Sequence, residues 1–85
     1  MILISSKELI NKHNISYQTL NFYTTLGLFQ VKKRIGNRRF YDENEFKDRL
    51  EIILRMKEEG YPLRMIVHQL NQEASHPKPN GGIIS

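Results

Sequence analysis

Cysteine is absent from this chain of 85 residues, which excludes disulfide staples and thiolate-held metals and leaves so small a domain dependent on packing among its own elements. Long apolar runs are missing as well. No stretch approaches the roughly 18 residues that span a bilayer, and Met1-Ile2-Leu3-Ile4, with no basic region before it, is too short for a secretory signal. A cytoplasmic protein is therefore expected. The chemistry of catalysis is equally thin: there is no nucleophile elbow, no glycine loop able to cradle phosphate and no pair of carboxylates isolated in an apolar setting. Three histidines are present but form no cluster. His13 ends a helical pattern, His68 has no acidic partner at metal spacing and His76 lies in a polar tail, so each is expected to be solvent-exposed. No enzymatic activity, cofactor or metal is expected.

Negative charge is scarce in the first half. Residues 1–41 hold seven lysines and arginines against Glu8 alone, a net of +6, whereas residues 42–85 hold six against eight carboxylates, a net of −2. A basic half joined to a mildly acidic one suggests that the first faces a polyanion and the second serves as scaffold. What is present in quantity is ordinary: 39% hydrophobic and 26% charged residues suffice for one folded core and are too apolar for a chain disordered throughout.

The helix signals are local and dense. Ser5 with Glu8 makes a capping box, Ile4 and Leu9 are placed as its hydrophobic staple, and a first helix is predicted from Ser6 to His13. Ser16 offers the next N-cap, with Ile15 and Leu20 as staple, for a second helix from Tyr17 to Leu26 that Gly27 ends. Two short helices joined by a tight turn form a helix-turn-helix. Gly36-Asn37 then reads as a two-residue hairpin turn with glycine first, flanked by strands in which Phe29, Val31 and Phe40 alternate with polar residues. Two strands alone are marginally stable, so the hairpin must lean on the helices as a wing. Asp42 with Glu45 suggests a third capping box, stapled by Tyr41 and Phe46, and opens a helix from Glu43 to Glu59 carrying Phe46, Leu50, Ile53, Leu54 and Lys57 at helical spacing. After Gly60, Pro62 suits the first position of a fourth helix whose apolar face is Leu63, Ile66, Val67 and Leu70. The prediction is a mainly α winged helix-turn-helix: four helices with a two-stranded antiparallel wing between the second and third. Residues 1–73 form the domain and residues 74–85, rich in breakers, a flexible tail or linker.

Beyond the plan, Ser16-Tyr17-Gln18-Thr19-Leu20-Asn21-Phe22-Tyr23-Thr24-Thr25-Leu26-Gly27-Leu28 resembles the recognition helix of the MerR family, whose usual form has Thr-Leu-Arg-Tyr-Tyr-Glu followed by Ile-Gly-Leu. Gly36-Asn37-Arg38-Arg39-Phe40-Tyr41-Asp42 resembles its wing, and the wing of glutamine-synthetase repressors within it. Glu58-Glu59-Gly60-Tyr61-Pro62-Leu63 with Ile66 resembles the joint between its third and fourth helices. The similarity covers residues 3–72. It departs at Asn21, where the family usually has arginine, at Phe22, where it has the first tyrosine of a pair, and at Thr24, where it has glutamate. The resemblance implies a bacterial transcription regulator, repressor or activator, that pairs through a long helix, binds an inverted repeat between promoter elements and alters access of RNA polymerase. No such long helix lies within these residues. The chain is expected to be monomeric alone and to dimerise on DNA or through a region beyond Ser85.

Candidate binding residues follow from how a helix meets a duplex. Its N-terminal side chains approach base edges in the major groove, and Gln and Asn can bond adenine in a bidentate way. Ser16, Tyr17, Gln18 and Asn21 occupy that part of the second helix. Tyr23 is either core or a phosphate contact through its hydroxyl, and Phe22 is expected in the core. Lys32, Lys33, Arg34, Arg38 and Arg39 concentrate five cations in the wing, suited to phosphate and the minor groove; lysines there also guard an exposed strand edge. Tyr41 either staples the third helix or reaches a phosphate. Arg55 and Arg64 are expected to pair with nearby carboxylates. The leading function is sequence-specific binding of double-stranded DNA in transcription control. The alternatives are a winged-helix adaptor or antirepressor that uses the same face on an acidic protein, and a DNA-architectural factor of the excisionase or packaging kind.

Overall fold

Ser5 starts the first helix as its spacing to Glu8 implies. In the computed structural model, which describes residues 1–75 with side chains through Gln72, the Ser5 hydroxyl accepts the Glu8 amide and the Glu8 carboxylate accepts the Ser5 amide, each at 3.2 Å. This capping box opens α1 (Ser6–His13). Asn14 ends it at φ 53, a left-handed conformation that asparagine tolerates better than most residues. Ser16 then caps α2 (Tyr17–Thr25) by accepting the Thr19 amide at 3.0 Å.

Gly27 closes α2 at φ 87. Its amide bonds the Thr24 carbonyl while the next amide, of Leu28, reaches back to Tyr23, and this pair of crossed bonds satisfies carbonyls that the helix end leaves orphaned. The buried Arg49 guanidinium donates to the Leu28 carbonyl at 3.0 Å and secures the same corner from below.

The wing is β2 (Val31–Ile35) and β3 (Arg38–Asp42), antiparallel, joined by Gly36 at φ 61 and Asn37 at negative φ, the pattern of a glycine-first turn. The two-stranded wing is part of a larger sheet. β1 (Leu3–Ser5) pairs with the other side of β3, with Ile4 opposite Tyr41, so the sheet has three strands in the order β1-β3-β2. Three residues are too few to display an alternating pattern, which is why this strand has no sequence signal. The register between β2 and β3 slips between Val31 and Lys33.

Asp42 caps α3 (Glu43–Glu58) by accepting the Asn44 amide at 3.1 Å. Glu45, the expected other half of a capping box, turns instead to Lys32 at 3.2 Å. Gly60 at φ 92 ends α3 with the same crossed bonds seen at Gly27, and the Pro62 carbonyl accepts the first bonds of α4 (Leu63–Ser75). The predicted tail falls outside the described residues.

One core joins these elements: Leu9, Leu20, Leu28, Phe29, Tyr41, Phe46, Ile53, Ile66 and Leu70 are almost wholly buried. Along its middle runs an aromatic file, Tyr23 to Phe29 at 5.8 Å, Phe29 to Phe46 at 4.5 Å and Phe46 to His13 at 5.1 Å. Tilted ring pairs of this kind add about 0.5–1.5 kcal/mol beyond their burial. Leu54, at helical spacing from Phe46, lies on the outer side of α3 at 57% exposure.

Candidate nucleic-acid interface

α2 turns Leu20 and Tyr23 into the core, so its periodicity leaves Tyr17, Gln18, Asn21, Phe22 and Thr25 on the opposite arc, and all five are exposed. Tyr17, Gln18 and Asn21 thus lie on one open face. Phe22 joins them, against expectation: it precedes Tyr23 by one residue, about 100° around the helix, and is 52% exposed. Ser16 is exposed too, but its hydroxyl is occupied at the cap, accepting from the Thr19 amide and donating to the Thr19 hydroxyl.

Beside Tyr17 runs a groove of about 480 Å³ lined by Ser5, Ser6, Lys7 and Ile10 of the first helix turn and by Asn37, Arg38 and Arg39 of the wing. Arg39 is one of three cations in this lining, with Lys7 and Arg38. The Arg39 guanidinium lies over the Tyr41 ring, 6.0 Å from its centroid, and Nη2 is buried without a hydrogen-bond acceptor. A desolvated donor with nothing to bond costs stability, and its burial closes this nitrogen to an outside acceptor in this conformation. Ser6 holds this strand by donating to the Arg39 carbonyl at 3.3 Å. Arg38 is exposed, its guanidinium 5.4 Å from the centre of the Phe40 ring. Ser6 and Lys7 were not among the candidates from sequence; Lys7, one of the seven cations in the basic half, carried the only signal.

Other predicted residues are placed differently. Lys33 and Arg34 are exposed on β2. Lys32, on the same strand, is tied to the scaffold by Glu45 at 3.2 Å and Gln30 at 3.3 Å. Tyr41 is 1% exposed and its hydroxyl meets that of Thr24 at 2.9 Å, so it staples the core and presents nothing to a phosphate. Tyr23 is likewise a core ring, with its hydroxyl accepting from Lys57 at 3.3 Å. Arg55 and Arg64, expected to pair with nearby carboxylates, make no ion pair among the described residues.

The expected exposure of His13 is also overturned. It packs on Phe46, and its Nε2 lies 3.2 Å from the Glu43 carboxylate, which Lys12 reaches at 2.7 Å. Hydrogen bonds from Lys12 and then His13 hold the Glu43 carboxyl below the usual carboxylate range. The trio joins the end of α1 to the start of α3, away from the exposed arc of α2. His68 is exposed as expected; His76 lies outside the described residues.

An exposed polar arc on the second helix, a basic hairpin beside it and two capped helices behind are the parts of a winged helix-turn-helix. The family described as MerR HTH family regulatory protein matches residues 4–73. The chain belongs to the MerR family. Neither a curated protein nor a solved structure matches it. MerR-family regulators bind DNA and control transcription, so DNA is the partner class of this domain, and no helix among the described residues is long and apolar enough to cross a membrane. Its three departures from the usual MerR motif fall at two different kinds of place. Asn21 and Phe22 stand on the exposed arc, whereas Thr24 is half-buried and bonded to Tyr41.

Proposed function

We propose that this domain binds double-stranded DNA sequence-specifically, with α2 in the major groove and the wing on phosphates and the minor groove. One observation carries the reading: the open arc of Gln18 and Asn21 adjoins, through Tyr17, a groove whose lining includes the three cations Lys7, Arg38 and Arg39. A duplex brings both complements at once, base edges for the amides and phosphate oxygens for the cations. Lys7, Lys33, Arg34 and Arg38 surround that groove or continue it along the wing and supply the sequence-independent attraction.

In this reading two copies occupy an inverted repeat in a promoter, at the bacterial nucleoid, and change how RNA polymerase engages it. The DNA-binding domain in this reading is residues 1–73. Selection of bound duplexes from a random pool, followed by affinity measurements at several salt concentrations, tests the proposal. Affinity should fall by about 0.9 log units per log unit of salt for each phosphate neutralised. Binding that ignores salt, or a pool that yields no preferred sequence, overturns it.

A further inference from the structure

Of the four phenylalanines, Phe29 and Phe46 are buried and Phe40 is half-covered with Arg38 beside it, whereas Phe22 stands 52% exposed in the middle of α2. No packing explains an apolar ring there. Its contact with Tyr23 is at 6.0 Å and leaves half the side chain in water. The ring has no polar atom, so it cannot bond a phosphate or a base edge. It is one helical turn from Gln18, close enough for the two side chains to meet the same or an adjacent base pair.

We infer that Phe22 is a specificity-determining residue that reads the 5-methyl group of thymine. This rests on the proposed placement of α2 in the major groove. The thymine methyl is the apolar feature that the major groove offers, and phenylalanine is among the side chains that contact it. The same A·T pair displays adenine N6 and N7, the bidentate partner of a Gln or Asn amide. Gln18 and Phe22 together therefore select an A·T pair by both of its distinctive marks, a donor and acceptor on one base and a methyl on the other.

The test uses the whole chain and the duplex recovered from a random pool, made in two forms, with thymine and with deoxyuridine in its place. The exchange removes the methyl and keeps every hydrogen-bonding group. Wild type should bind the deoxyuridine form more weakly by about fourfold for each methyl buried. Phe22→Ala should lose at least that factor on the thymine form and bind both forms equally, with its circular dichroism unchanged because the ring is not part of the core. Equal binding of the two forms by wild type, or a methyl preference that survives in Phe22→Ala, overturns the assignment while leaving DNA binding intact. Recovery of no duplex at all overturns DNA binding itself, and the assignment with it.

Discussion

Tyr41 donates its hydroxyl hydrogen to Thr24. The two oxygens are 2.9 Å apart, and Thr24 has already spent its own hydrogen on the Leu20 carbonyl at 2.6 Å, so only the phenol can supply the proton between them. Through this bond the central strand of the sheet is fixed to the helix that presents Gln18 and Asn21. Tyr41→Phe removes the bond and leaves no orphaned donor on Thr24. Urea unfolding should show a loss of about 0.5–1.5 kcal/mol with an unchanged slope, whereas a loss near zero would mean the hydroxyl contributes nothing to holding the wing.

Arg39 and Lys32 differ in their pairing: Lys32 has a carboxylate partner, and Arg39 makes no ion pair among the described residues. Arg39→Ala should weaken binding to all duplexes alike and lower the salt slope by about one. Lys32→Ala should change the slope less, since Glu45 already neutralises that ammonium at 3.2 Å. Equal effects of the two substitutions on the slope would show that the Lys32 pair opens on DNA.

Gln18→Ala and Asn21→Ala should each relax preference at particular base pairs and leave others untouched, at about 1–3 kcal/mol of discrimination per bidentate contact. Repeating the random-pool selection with each variant locates those positions. Full selectivity in both variants would place the reading face elsewhere on the domain.

Acid should release the clasp between α1 and α3. Glu43 titrates below the ordinary value of 4.5, held down by Lys12 and His13. Its contribution to stability is therefore complete above that ordinary value and declines as pH falls through the lowered one. Glu43→Gln should be less stable than wild type at pH 7, and the gap should narrow as the pH is taken below the carboxylate range. A gap that stays constant with pH would assign the loss to packing and not to charge.

Much of this fold was legible because its signals are local. Ser5, Ser16, Gly27, Gly36 and Gly60 each perform the cap or turn that residue type and position imply, and none depends on what the rest of the chain does. What escaped depends on distant neighbours. β1 is invisible until Tyr41 stands beside Ile4. His13 reads as a solvent-facing helix end until Phe46 and Glu43 arrive from 30 or more residues away. Phe22 and Tyr23 are adjacent aromatics, and residue type alone does not say which one faces the core. The charged wing was plain in the sequence, but which cations are engaged was not, because Glu45 reaches Lys32 from another element.

The three-stranded sheet has a further consequence for how the hairpin moves. β1 pairs with β3 only at Phe40, Tyr41 and Asp42, whereas Arg38 and Arg39 pair with β2 alone, with Ser6 bonded to the Arg39 carbonyl. The doubly flanked stretch is the root, and the register slip at Val31 to Lys33 lies directly across from it. Amides at the root should exchange with solvent as slowly as those of the helices, while those from Arg34 to Arg38 should open more readily. The tip from Arg34 to Arg38 is therefore the part that should yield to the contour of what it touches, while Arg39 stays on the Tyr41 ring.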